Sequence, residues 1–437
     1  MLFKILTRST IGRFSKDGGR DDAHSMDYLL ERDNIIDRRI SRFVAFYYVV
    51  EATNMTIKQV FPISERLWSM LSQGFLVLLA CSMAFSIRYV LRRTHRAFFL
   101  VELVCVIFFV ASFLMGHASA GLLLQQAFRT LCVNVPLAFH AASVRSKEIL
   151  YDVMLKTSYV LILMLNLIFI TNRQQAYYYS MSTSYALLVP TLVQASAFFE
   201  KRRAINLIFF LLAVSGMALY GARGPLVSVV AFFVFWYLAS PRKLVYKFWV
   251  GLLGGLLALF LTLVWDQMLG TLLAFLQSRG IYSRTLHLLY TGSLLQTSGR
   301  DQLFDYYVAL AKQKPLLGWG LFGGWINDAS SPHNMLIELL MAFGVLGGGL
   351  LIIAAVAFMV RVFFIKDRGL KQLALIYAAR NVGKFFFSGR FLSDDWLVFV
   401  ALCICSMSRA SLHTTYDERG IVSESATHNR INSVSLG

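Results

Sequence analysis

Arg300, preceded by Ser298-Gly299, and His333, 33 residues further on and followed by Asn334, are the side chains here best suited to chemistry. A guanidinium holds an oxyanion through two parallel N–H bonds, and an imidazole accepts a proton from a hydroxyl near neutral pH. Arg279 and Arg284 stand on the same stretch, and Arg223 sits in the turn Gly221-Ala222-Arg223-Gly224-Pro225. A guanidinium beside the amides of a helix start is a natural phosphate site. Such a set could hold a phosphate and activate a hydroxyl against the atom bonded to it. Plainer readings exist for each residue. Arg223 could be an arginine snorkelling at an interface, and His333 a wet residue at a helix end. Asn334 could cap a helix or bond a sugar hydroxyl. Tyr307 and Trp319 could stack on sugars or belong to an aromatic belt, as could Tyr306 and Trp325.

The elements that must hold these residues are membrane helices. Of 437 residues 57% are hydrophobic and 15% charged, with mean hydropathy +0.60, which excludes an ordinary soluble protein. Apolar stretches of ~17–25 residues recur, each about long enough to cross roughly 30 Å of hydrocarbon as a helix. They are continuous rather than alternating, which argues against a barrel. The expected fold is an all-α polytopic membrane protein. Its twelve spans fall at 43–60, 69–91, 97–115, 120–143, 153–171, 183–199, 204–220, 224–240, 247–266, 335–361, 371–389 and 394–409. Residues 1–42 mix both charge signs and lack an apolar core, so they read as a cytoplasmic segment rather than a cleavable signal. Residues 410–437, polar and of mixed charge, read as a disordered cytoplasmic tail.

Charge orients the spans. Arg92-Arg93-Thr94-His95-Arg96, Arg145 with Lys147, Lys201-Arg202-Arg203, Arg242-Lys243 with Lys247, and Arg361 through Lys371 all fall on one side, together with both ends of the chain. That side is expected to be cytoplasmic. The net charge of +18 is then a topology signal and an attraction to anionic lipid heads. A nucleic-acid partner would need basic residues massed on one soluble face, and none is present. Outside lie the Arg223 turn, the segment 172–182, and the loop 267–334, whose length marks it as functional. Within that loop 301–313 has helical spacing, with Pro315 ending it.

Other motifs carry little. The five cysteines all fall within spans and read as packing residues. Gly318-Trp319-Gly320-Leu321-Phe322-Gly323 matches a dinucleotide fingerprint formally, but it follows no strand, so its glycines read as turn formers. No P-loop, HExxH or acidic pair at metal-ligand spacing is present. A transporter would pair ionisable groups near the bilayer centre. Glu51, Arg129, His140, Arg380 and Lys384 are the candidates, and the sequence joins them into no relay.

The order Gly-Ala-Arg223-Gly, Ser298-Gly299-Arg300, Pro315-Leu316-Leu317-Gly318-Trp319-Gly320, His333-Asn334 and Gly344-Val345-Leu346-Gly347 resembles the O-antigen ligase and polymerase superfamily of bacterial membranes. The likeness covers roughly 220–360 by motif. It implies a fold related to type C glycosyltransferases and a metal-independent, inverting enzyme that needs no cofactor. Such enzymes pass a glycan from an undecaprenyl pyrophosphate-linked donor to a hydroxyl, at the extracytoplasmic face of the bacterial cytoplasmic membrane. Carried over, Arg223 and Arg300 would hold the pyrophosphate and His333 would activate the acceptor. The residues read above as candidates, Arg284, Arg279, Asn334, Tyr307 and Trp319, are the expected substrate-binding set beside them. Ala222 replaces the family's usual serine, which removes one hydrogen bond to phosphate. A polymerase extends a lipid-linked repeat unit, whereas a ligase moves the finished chain to lipid A core. The short interval from Arg300 to His333 favours the polymerase. A chain-length regulator and a flippase are the expected partners, along with membrane lipids.

Overall fold

The computed structural model describes residues 21–61, 64–171, 180–243, 245, 247, 267, 269–278, 286–287, 290–291, 300–325, 332–387, 391–393 and 395–407. Among them every regular element is helical. In chain order these are α1 (Asp21–Val60), α2 (Glu65–Met115), α3 (Ala120–Arg129), a π-helical segment Thr130–Asn134, α4 (Val135–Ser143), α5 (Lys147–Thr171), α6 (Met181–Lys201), α7 (Ala204–Leu219), α8 (Arg223–Ala239), α9 (Leu269–Ser278), α10 (Arg300–Gln313), α11 (Met335–Arg361), α12 (Arg368–Phe387) and α13 (Asp395–Met407).

Eleven of the twelve expected spans coincide with helices; of the ninth, 247–266, only Lys247 is among the described residues. Length and composition make four stretches able to cross a membrane: Glu65–Thr94, Arg96–Met115, Ala120–Ser143 and Met335–Phe364. Shorter apolar helices are α7, α8, α9 and α13. The first two stretches are the halves of α2, divided where Thr94 leaves helical geometry (φ −139°, ψ 17°). The lipid-facing reading of these stretches has a physical basis. Leu114, Phe85, Leu350 and Ile353 are each at least two-thirds exposed, far more apolar surface than water would tolerate.

The centre of the bundle is α6. Leu187, Leu188, Leu192 and Val193 have no exposed surface, and neither do Thr183, Ser184, Thr191 and Gln194. A helix buried all round needs partners on every side; α6 finds them in α5, α7, α8, α12 and α1. Some of its polar groups find partners: Thr191 donates to the Leu187 carbonyl and Gln194 to Ser158 of α5, while Gln194 Oε1 and Ser196 Oγ are buried with no hydrogen-bond partner among the described residues.

One end of the bundle is ionic. Arg93 bonds Asp33 and Asp37, Arg145 pairs with Asp33, Lys201 with Asp152, and Arg368 with Glu200. Buried Lys147 donates to the carbonyls of Ala141, Ala142 and Val144, filling the C-terminal end of α4. These are the basic clusters that the sequence assigns to one side, and packing gathers them there.

Candidate functional site

At the opposite ends of the same helices lies a cavity of about 330 Å³. α1 brings Tyr47, Tyr48, Glu51 and Met55; α3 brings Gln126 and Arg129, followed by Asn134; α6 brings Ser182 and Tyr185; α12 brings Arg380 and Lys384. Phe322 and His333 come from the loop region, and Leu392 and Ser393 from the turn before α13. Four cationic or cation-forming side chains thus meet in one chamber.

Their charges are partly compensated. Arg129 pairs with Glu51 at 3.2 Å, and Arg380 with the fully buried Asp395 at 2.7 Å. Lys384 shares that same Asp395. One carboxylate therefore serves two cations on successive turns of α12, which leaves this wall positive by about one charge. The sequence offered these residues only as scattered intramembrane ions. The signal that could have united Arg380 and Lys384 is their i, i+4 spacing, which puts two costly charges on one face of a membrane helix. No spacing rule could have found Asp395, Glu51 or Arg129 beside them.

His333 is held with φ at +51°. Among the described residues three non-glycine positions have positive φ, and two of them, Phe322 and His333, line this cavity. Left-handed backbone costs of order 1–3 kcal/mol where no glycine relieves it, and such positions cluster at functional sites. The strain at His333 is anchored on its C-terminal side. Asn334 caps α11, its Oδ1 accepting from the amides of Leu336 (2.9 Å) and Ile337 (3.1 Å). Its side-chain oxygen is thus engaged by the backbone. One turn along, buried Glu338 accepts from the Phe391 amide at 3.2 Å and ties α11 to the turn that carries Leu392 and Ser393.

Arg223 is the first residue of α8, and no side chain caps that helix because the N-cap is Ala222. Arg223 does not line the cavity, but its helix start packs against the wall that does. Ser228 donates to the Arg380 carbonyl (3.3 Å) and accepts from the Gly383 amide (3.2 Å). A Cβ on Gly383 would come within 2.6 Å of the Gly224 carbonyl oxygen, so glycine is what permits this approach. Tyr185, a wall of the cavity, donates to the Gly383 carbonyl at 3.3 Å.

The loop after α10 explains a second set of motifs. Helix α11 is broken at Gly344, whose φ of 64° and ψ of −170° are open essentially to glycine alone. The break exposes backbone groups, and residues 315–320 satisfy them. Trp319 and Gly320 donate to the carbonyls of Met341 (2.8 Å) and Ala342 (3.0 Å), while Val345 and Leu346 donate to those of Pro315 (2.7 Å) and Leu316 (3.4 Å). Irregular backbone at membrane depth persists only when protein or a water-filled cavity satisfies it. The turn-forming role expected of the 318–323 glycines follows: Gly318 (φ 73°) and Gly320 (φ 81°) both have positive φ.

The remaining expected site residues are distributed. Arg300 is the first residue of α10, a helix start, but its side chain lies outside the described residues. Arg279 and Arg284 lie outside them too. Tyr307 has no exposed surface and packs with Leu310, Leu321 and Trp325, so in this structure it presents no face to a sugar. Trp319 donates from its indole to the Leu310 carbonyl, and Lys314 lies over its ring at 4.1 Å, with His117 edge-on. Both aromatics therefore pack the loop after α10, and the expected amphipathic helix 301–313 rests on the core through Tyr307 and Leu310.

No curated protein matches the chain. Residues 208–352 match the family described as O-antigen ligase. That stretch begins within α7, includes the Arg223 turn, Arg300, the spliced loop and His333, and ends past the glycine break of α11. Arg380, Lys384 and Asp395 lie beyond it. Over this third of its length the chain is similar to the O-antigen ligase family.

Proposed function

We propose that this protein is a polysaccharide polymerase of the bacterial cytoplasmic membrane. It transfers a glycan from an undecaprenyl pyrophosphate-linked donor to a hydroxyl of a lipid-linked repeat unit. The observation that carries this reading is the convergence of His333, Arg380, Lys384 and Arg129 on one cavity, beside the helix start of Arg223. In the transfer, His333 takes the proton of the acceptor hydroxyl, whose oxygen forms the bond to the sugar carbon. The bond from that carbon to the pyrophosphate oxygen breaks, and the leaving pyrophosphate keeps the electron pair. Its developing charge is met by Arg223 and Arg300, with Arg380 and Lys384 supplying field from the cavity wall. Attack from the face opposite the leaving group inverts the carbon.

Twelve spans, with the cavity at the extracytoplasmic end, form the topology that goes with this reading. The cavity lies at the ends of α1, α6 and α12 remote from the ionic cluster that the positive-inside tendency assigns to the cytoplasm. The matched family's description favours a second reading, a ligase that moves the finished chain to lipid A core. A strain lacking the gene separates the two when its surface glycan is run on a gel. Single repeats attached to the anchor identify the polymerase; long chains left unattached identify the ligase. An unchanged glycan pattern removes both.

A further inference from the structure

Beside the catalytic chamber lies a second cavity of about 250 Å³, between α1, α2 and α3. The two share Glu51, Met55, Gln126 and Arg129, so the Glu51–Arg129 ion pair stands in their common wall. Their chemistry differs sharply. Among the described residues that line the second cavity, that pair is the only ionisable one. The cavity's polar lining is Asn54, Gln73, Gln125 and Gln126 with the hydroxyls of Ser69 and Ser72; Trp68 also lines it, with Lys58 Nζ 5.1 Å from its ring centre.

Ser69, Ser72 and Gln73 share one face of α2 by their i, i+3, i+4 spacing, in the first turns of the stretch Glu65–Thr94 that is apolar enough to cross a membrane, and Ser69 and Gln73 are exposed there. Their amides and hydroxyls are open to a ligand. Packing within the bundle uses few of them here. Ser72 donates to the Asn54 side-chain oxygen at 3.4 Å, a long bond that leaves the Asn54 nitrogen and the Gln73 amide to serve other groups. Uncharged amides and hydroxyls around an aromatic ring suit a ligand with many hydroxyls and no charge. The volume falls just below the range of about 300–1,000 Å³ for pockets that hold drug-sized ligands, so it fits a short piece of glycan rather than a chain.

We infer that this second cavity is a sugar subsite, holding the uncharged glycan that receives the transfer while the pyrophosphate of the donor occupies the first. The inference rests on the proposed glycosyl transfer. It assigns the Glu51–Arg129 pair the task of separating an uncharged chamber from a cationic one. The acceptor hydroxyl then reaches His333 across that wall.

The test uses the full chain in lipid nanodiscs with two probes: undecaprenyl pyrophosphate, and the oligosaccharide released by mild acid from the host strain's own surface glycan. The wild-type protein is expected to bind both. Asn54→Leu/Gln73→Leu is expected to weaken oligosaccharide binding at least tenfold and to leave undecaprenyl pyrophosphate binding within twofold, which also certifies its fold. A variant that retains oligosaccharide affinity overturns the subsite, as does a wild-type protein that binds undecaprenyl pyrophosphate alone. Loss of undecaprenyl pyrophosphate binding in a monodisperse variant overturns it too, because the cavity then serves the donor lipid. A wild-type protein that binds neither probe removes the glycosyl transfer itself.

Discussion

Gly318 and Gly344 pack backbone to backbone: a Cβ on Gly318 would lie 2.6 Å from the amide nitrogen of Gly344. The two glycines, 26 residues apart, are therefore halves of one device. The first lets the loop enter the gap in α11, and the second opens that gap. Because α11 begins at the residue following His333-Asn334, the splice also fixes the helix whose first turn anchors the candidate base.

Gly344→Ala should accordingly destabilise the protein by more than the about 1–3 kcal/mol that such a backbone conformation costs a side chain, since the new Cβ also meets the Leu316 carbonyl. Gly349→Ala, with nothing within 4 Å, should be nearly silent. Thermal unfolding of the two variants in the same detergent checks the contrast; equal midpoints would mean that the splice is not structural.

His333→Ala should lower transfer by ~10²–10⁴-fold, the range for losing a positioned acid or base. It should still be protected against heat by undecaprenyl pyrophosphate, because other cations hold the donor. Should the variant lose that protection, His333 binds donor rather than activating acceptor. Asp305→Ala, assayed beside it with a metal chelator, tests whether a carboxylate of α10 carries the proton instead.

Arg223→Lys and Arg300→Lys should each fail to restore the polymer formation lost in the corresponding alanine variants. An ammonium is a point charge and cannot make the paired contact to phosphate. Glycan length in a complemented deletion strain reads this out, with protein level in the membrane as control. Full rescue by both lysines would reduce the arginines to simple charge.

Asp395→Asn should cost about 3–5 kcal/mol, because it removes the shared partner of two largely buried cations, Arg380 and Lys384. Adding Lys384→Met should recover part of that loss, as one of the two stranded charges disappears. Unfolding midpoints of the single and double variants decide; a double variant less stable than the single one contradicts the shared-carboxylate account.

Composition and hydropathy determined the class of the molecule and nearly every helix, because a bilayer demands long apolar stretches and leaves few alternatives. Basic clusters determined the common end of the bundle that Arg93, Lys201 and Arg368 occupy. The motifs around Arg223, Arg300 and His333 pointed to the superfamily, since phosphate and hydroxyl chemistry need those residue types. Tertiary structure alone decided which ions share a chamber. Glu51, Arg129, Arg380 and Asp395 lie on four elements spread over 345 positions of the chain, and no local period relates them. It also decided that Tyr307 and Trp319 support the loop, because burial depends on what packs against a ring and not on the ring itself. The coupling of Gly318 to Gly344 belongs to the same class: sequence shows two glycines, and only a broken helix shows why one requires the other.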